Sequence, residues 1–167
     1  MIKRTIPLAL VALAATAGLA QAQAVSLVGE YRAWSSYSAA EGNDKVCFAM
    51  SKPTEVSPQP DGYTQAYLYI THRPGQNVRN EINLVAGFNF AQGTSATLSV
   101  SGETFSLFTE ADAAWLQDPS QNNTLAGVMR AGSTLTISGT SEAGAEITET
   151  FSLSGATAAS KAIDGAC

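Results

Sequence analysis

His72 is the only histidine in this 167-residue chain, so a histidine-rich zinc site is excluded and at most one Ser-His-Asp or Cys-His centre could exist. No GxSxG, SxxK, HExxH or phosphate-loop pattern accompanies it. It shares parity with Leu68 and Ile70 at the end of a β-rich run, which reads as a hydrogen-bonded strand-end residue rather than a base. Glu110, Asp112 and Asp118 surround Trp115. Two carboxylates beside an aromatic platform could hydrolyse a glycosidic bond, one donating a proton while the other attacks or activates water. Acidic caps and turns explain the same residues. Trp115 is either a core side chain or an aromatic at a recognition surface.

Arg73 and Arg79 bracket the turn Pro74-Gly75-Gln76-Asn77. Two guanidinium groups there could hold a carboxylate or phosphate of a partner, with Glu81 placed to oppose them. Arg73, Arg79 and Trp115 are therefore the candidate binding residues. Glu149 has the parity of Ile147, Phe151 and Leu153, so a regular strand turns its carboxylate inward, at a desolvation cost unless it is paired. Lys161 or Arg130 could be that partner, or a bulge could move Glu149 outward.

The two cysteines, Cys47 and Cys167, form no CxxC redox motif. An exported chain with an even cysteine count favours a bridge between them over free thiols or pairing between chains. Export itself is read from the first residues. Lys3 and Arg4 provide a positive start, Ile6 to Leu19 an apolar run, and Ala20-Gln21-Ala22 a small-x-small cleavage site, so residues 1–22 read as a signal peptide. The run is too short and too alanine-rich for a permanent membrane span. Removing Lys3 and Arg4 takes the formal net charge from −5 to −7. So acidic a chain offers no electrostatic grip on a phosphate backbone, and nucleic acid is not an expected partner.

Any such residues must be positioned by strands. Residues 23–167 contain thirty-one Ser or Thr and thirteen Gly, with β-branched or aromatic runs between turn clusters. This is the composition of a single mainly-β domain, an antiparallel β-sandwich or barrel-like fold with two or three short helices. Val46, Phe48 and Met50 share one parity, with Cys47 on the opposite face. Leu68 and Ile70 oppose the tyrosines of Tyr67–His72, and Ile82, Leu84, Ala86, Phe88 and Phe90 mark a central strand. Leu98 and Val100 lead through Ser101-Gly102-Glu103 to Phe105 and Leu107 as a tight hairpin. Leu135 with Ile137, and Ile147 to Leu153, form another pair across Ser141–Ala145.

Helical spacing occurs at Leu125, Val128 and Met129 before Gly132, and again from Ala156 to Asp164 as a C-terminal helix. Thr109-Glu110-Ala111-Asp112 resembles a capping box, which predicts a short helical turn carrying Trp115 as far as Pro119. Pro53 to Gly62 reads as a long surface loop.

Several segments in order are similar to a known family. Lys45-Val46-Cys47-Phe48-Ala49, Tyr69-Ile70-Thr71-His72-Arg73-Pro74, Ala113-Ala114-Trp115 before Asp118-Pro119, and Leu125 through Val128-Met129-Arg130 to Gly132-Ser133 are four of them. Thr150 to Gly155 and the closing Ala162-Ile163-Asp164-Gly165-Ala166-Cys167 complete the set. Over Trp34 to Cys167 the chain resembles the invasion-associated locus B family of alphaproteobacteria. The resemblance implies an exported cell-envelope protein with a compact β-rich fold, some members being linked to host-cell invasion, and brings no catalytic residues or cofactor with it. Ala156-Thr157 departs from the bulky residue expected after the glycine.

These readings together predict a non-catalytic, periplasmic or secreted protein that binds an envelope or host-surface component, with no metal or cofactor. The competing expectation is a small periplasmic glycan hydrolase using the carboxylates near Trp115.

Overall fold

A computed structural model describes residues 24–167, and the expected signal peptide lies outside the described residues. The described chain is mainly β. Its strands are β1 (Val25–Tyr31), β2 (Trp34–Glu41), β3 (Asp44–Ser51), β4 (Glu55–Ser57), β5 (Tyr67–Arg73), β6 (Val78–Val85), β7 (Ser95–Val100), β8 (Glu103–Glu110), β9 (Ala113–Leu116), β10 (Thr134–Thr140) and β11 (Glu146–Ser152). Two α-helices, α1 (Asn122–Ala131) and α2 (Ala156–Ala166), and two short 3-10 turns complete it. The strands make one antiparallel sheet in the order β1-β2-β3-β5-β6-β9-β8-β7-β10-β11-β4, which is not closed.

Period-two alternation builds the inner face. Leu68, Ile70, Ile82, Leu84, Leu98, Leu107, Leu135, Ile137 and Phe151 are buried there, while their sequence neighbours point outward. Full burial of each such side chain stabilises the fold by roughly 1.5–3 kcal/mol relative to exposure, so a shared apolar face fixes register strongly. The sheet curls across itself at one end. The Trp34 indole N–H donates to the Ser152 carbonyl at 2.9 Å, and the Ala33 amide donates to the Ser154 carbonyl at 3.2 Å.

The predicted hairpin between Leu98 and Leu107 is present. Ser101 and Gly102 take φ of 52° and 81°, the two left-handed residues of a tight turn matched to strand twist. α1 places Leu125 and Met129 in the core and stops at Gly132, and α2 buries Ala156, Ala159 and Ile163. Ala156, where a bulky residue was expected, is itself enclosed. The inward parity of β3 belongs to Cys47, Ala49 and Ser51, leaving Val46, Phe48 and Met50 on the outer side.

Three expectations require correction. Thr109–Asp112 caps no helix: β8 and β9 form a hairpin there, with Ala111 at φ 51°, and Trp115 lies on β9. Only two residues separate Trp115 from Asp118, and pairing β9 with both β6 and β8 satisfies more backbone groups than one helical turn could. Pro119 opens a 3-10 turn instead of ending a helix. The strand expected over Ile82–Phe90 ends at Val85. Gly87 has φ 71° with the Thr64 carbonyl so close that a Cβ would sit 2.5 Å from it, and the ladder cannot continue through that turn. Finally, the Pro53–Gly62 segment is not all loop, because Glu55–Ser57 pairs with β11 as an edge strand.

Candidate interaction surface

The sheet has an outer face not enclosed in the core, and cross-strand register organises it into two regions. Met50 opposes Tyr69, Tyr69 opposes Asn83, Asn83 opposes Trp115, and Trp115 opposes Phe108. Directly opposed residues of antiparallel strands share a face, so these five form one row across β3, β5, β6, β9 and β8. Tyr37 stacks on Phe48 at 5.2 Å between ring centroids, and Phe48 lies 6.0 Å from Tyr69. Phe108 stacks on Trp115 at 5.4 Å, and the Lys52 ammonium sits 5.8 Å from the Tyr67 ring. Burial, with the neighbouring Tyr67 as a smaller cause, pushes the Tyr69 phenol above its usual range.

The remaining strands carry a different surface. Thr104, Ser99, Thr136 and Thr150 form one outer row across β8, β7, β10 and β11, and Ser106, Thr97, Ser138 and Thr148 form the next. The Ser138 and Thr148 hydroxyls are 2.8 Å apart and hydrogen-bonded. β8 is the seam, with Thr104 and Ser106 on one side of it and Phe108 on the other.

Beside the aromatic row is an open groove of about 480 Å³ lined by Glu81, Phe108, Glu110, Trp115, Pro119 and Asn122, among others. Asp112 lines a separate depression of about 890 Å³ with Pro58, Gly87 and Glu142. Asp118 accepts from the Ser120 amide at 2.9 Å, and hydrogen bonding by Ser120 holds its carboxyl below the usual carboxylate range. The three carboxylates around Trp115 are thus divided: Glu110 borders the groove, Asp112 another hollow, and Asp118 caps a turn.

Trp115 is half-buried on the outer face and not in the core, because Ala114 and Leu116 take the inward positions of β9. Arg73 is engaged by Glu81 in an ion pair, and the Arg79 guanidinium lies 3.6 Å from Asp164 Oδ1. The two arginines are therefore each engaged by a separate acidic side chain of the chain itself. Phe108 and the Met50–Phe108 row had no signal in the sequence beyond strand parity, since the row exists only once register is set.

His72 is fully buried and satisfied at both nitrogens. The Asn80 amide donates to Nδ1 at 3.0 Å, which assigns the ring proton to Nε2, donated to Asp164 Oδ1 at 2.9 Å. It serves as a clasp for α2. Around it, Cys47 and Cys167 have their sulfurs 1.98 Å apart and their Cα atoms 5.9 Å apart, and the Lys45 ammonium donates to the Ala166 carbonyl at 2.7 Å. α2 is held in this way against the inner side of β1, β2, β3 and β5, behind the tyrosine end of the aromatic region.

Glu149 does turn inward, at 1% exposure, and neither Lys161 nor Arg130 meets it; both carboxyl oxygens lack a hydrogen-bond partner. Burial raises its pKa to about 8. At neutral pH it is a protonated acid within the sheet opposite Ile137 and Val56.

The family model of the invasion associated locus B protein matches residues 34–164. The chain belongs to the invasion associated locus B family. No curated protein and no solved structure matches it.

Proposed function

We propose that this chain is an exported cell-envelope protein that acts without catalysis, by contact of its aromatic outer surface with an envelope or host-surface component. The observation that carries the reading is the row joining Tyr69, Trp115 and Phe108, continued by Tyr37 and Phe48. Large, rigid aromatic side chains left half-open on a sheet lose little conformational entropy on binding and supply much contact area, which is why such residues dominate recognition surfaces. The cysteine pair supports a working place in an oxidising compartment, the periplasm, the outer envelope or outside the cell. Family membership supports the same assignment, with host-cell contact as the wider role.

The separated carboxylates argue against the hydrolase alternative. A glycosidase needs its two acids to flank one bond about 5–10 Å apart, with the acid catalyst's pKa raised. Here Glu110 and Asp112 border different hollows, and Asp118 is shifted downward.

A photo-crosslinking phenylalanine analogue placed at Phe108, and separately at Thr136, tests the proposal in intact cells. Discrete adducts from position 108 and none from position 136 are expected. Equal adducts from both, or adducts from position 136 alone, would overturn it. So would turnover of any member of a glycan panel that is lost in Asp112→Asn.

A further inference from the structure

We propose that β1 is a self-association edge through which two copies of this chain pair as antiparallel strands. Among the described residues β1 ends the sheet: only its β2 side is laddered, and its other row of backbone N–H and C=O groups is open to another strand. Val25, Leu27 and Val28 on this strand are 57%, 56% and 38% exposed, and they are three of the four exposed large apolar side chains among the described residues. The fourth, Phe108, belongs to the aromatic surface.

The opposite edge shows what protection looks like. β4 is three residues long, carries Glu55, and is preceded by Pro53 and followed by Pro58, neither of which has an N–H to offer. β1 is seven residues long with no lysine, arginine or proline. It also precedes the span that matches the family, so the open edge lies outside the matched residues.

A second copy is the occupant that the residue order fits. In a two-fold antiparallel pair centred on Ser26, Val25 faces Leu27 of the other copy, and both lie on the outer face, where the β2 register sets them opposite Ala39 and Tyr37. The two most exposed apolar side chains of the strand therefore cover each other, and its one charge, Glu30, lies beyond the paired residues. A parallel pair would set Glu30 against Glu30, which like-charge repulsion disfavours. Such an interface is isologous and closes at two copies. The bulge between Leu27 and Gly29 exchanges the faces of the residues that follow it, so the pairing lies on the N-terminal side of the bulge. Because each copy is net acidic, the pair should tighten with salt as repulsion is screened, whereas a basic partner strand would loosen.

Sedimentation of the purified exported protein across concentration and salt tests this. The expected result is a monomer–dimer equilibrium strengthened by salt, and weakened at least tenfold by Leu27→Lys, which places a charge where the side chain is already exposed. Thr97→Lys on the hydroxyl rows is expected to leave it unchanged. Ser26→Cys should give a disulfide-linked dimer without reductant, since the two Ser26 positions face each other, and Val28→Cys should not. A protein monomeric throughout, a dimer indifferent to Leu27→Lys, or crosslinking from Val28→Cys but not Ser26→Cys would each overturn the proposal.

Discussion

One sheet carries two unlike outer surfaces, and the interior behind each differs in the same sense. From β3 to β8 the outer row is Met50, Tyr69, Asn83, Trp115 and Phe108, while from β8 to β11 it is serine and threonine alone. Behind part of the aromatic region, α2 is clasped by the cysteine pair, by His72 and by Lys45. Behind the hydroxyl region, the interior contains Glu149 with no partner at all. Threonine and aromatic residues are both good strand formers, so local propensity does not require this division. Hydroxyl rows keep the surface wet and unattractive to other chains, and aromatic rows do the opposite. The cysteine bridge and the His72 clasp thus lie behind the aromatic region and not behind the hydroxyl rows.

The largest test of that contrast is the bridge. Closing a loop of 120 residues between Cys47 and Cys167 removes denatured-state entropy worth up to about 5 kcal/mol in the chain model. The paired substitution Cys47→Ser with Cys167→Ser should lower unfolding free energy by several kcal/mol in guanidinium titrations. Hydrogen exchange should rise most in α2 and β3, beyond the common rise that the lower global stability brings to β10 and β11. Exchange that rises uniformly would show that the clasp serves the whole sheet and not one region of it.

Glu149 supplies the complementary test on the other side. Its folded pKa is about 8 against the 4.5 of an ordinary glutamate, so between those values the native state holds a proton that the unfolded state has released. The contribution is therefore fully present below pH 4.5 and is lost as pH rises toward 8, by about 1.4 kcal/mol per pH unit at the steepest. From pH 5 to pH 8 the loss is on the order of 4 kcal/mol. Glu149→Gln keeps the shape without the titration, and its stability should lack this slope, so that the variant draws ahead of the native protein above pH 4.5 and leads by about 4 kcal/mol near pH 8. A native protein whose stability matches that of Glu149→Gln at every pH from 5 to 8 would mean the carboxylate finds a partner or water.

Much of the frame was legible in the sequence because it rests on local periods. Leu98, Val100, Phe105 and Leu107 around Ser101-Gly102 specify their hairpin without reference to anything distant, and Leu125, Val128 and Met129 specify a helix in the same way. Inward parity of Glu149 was legible too, but its solitude was not, since that depends on where Lys161 and Arg130 lie after folding. Phe108 and Trp115 needed register: the helical turn expected from Thr109–Asp112 gave way to strands because β6, distant in sequence, supplied β9 with a ladder. His72 and Asp164 are ninety-two residues apart, and no spacing rule links a strand end to the side of a later helix.

The smallest effect discriminates most directly between the two surfaces. Phe108 with Trp115, and Ser138 with Thr148, are each directly bonded or stacked cross-strand pairs at the outer face. A stacked aromatic pair couples by about 0.5–1.5 kcal/mol beyond its burial. An outer hydroxyl pair competes with water for every bond it makes, which leaves it under about 0.5 kcal/mol. Double-mutant cycles through Phe108→Ala and Trp115→Ala, and through Ser138→Ala and Thr148→Val, measure both couplings on the same scale. The first should be resolved from zero and the second should not. If Phe108 and Trp115 are instead uncoupled in the free protein, yet both are needed for the Phe108-side adducts in cells, their stacking is not what holds the surface ready, and the aromatic row is organised by its partner rather than by the sheet.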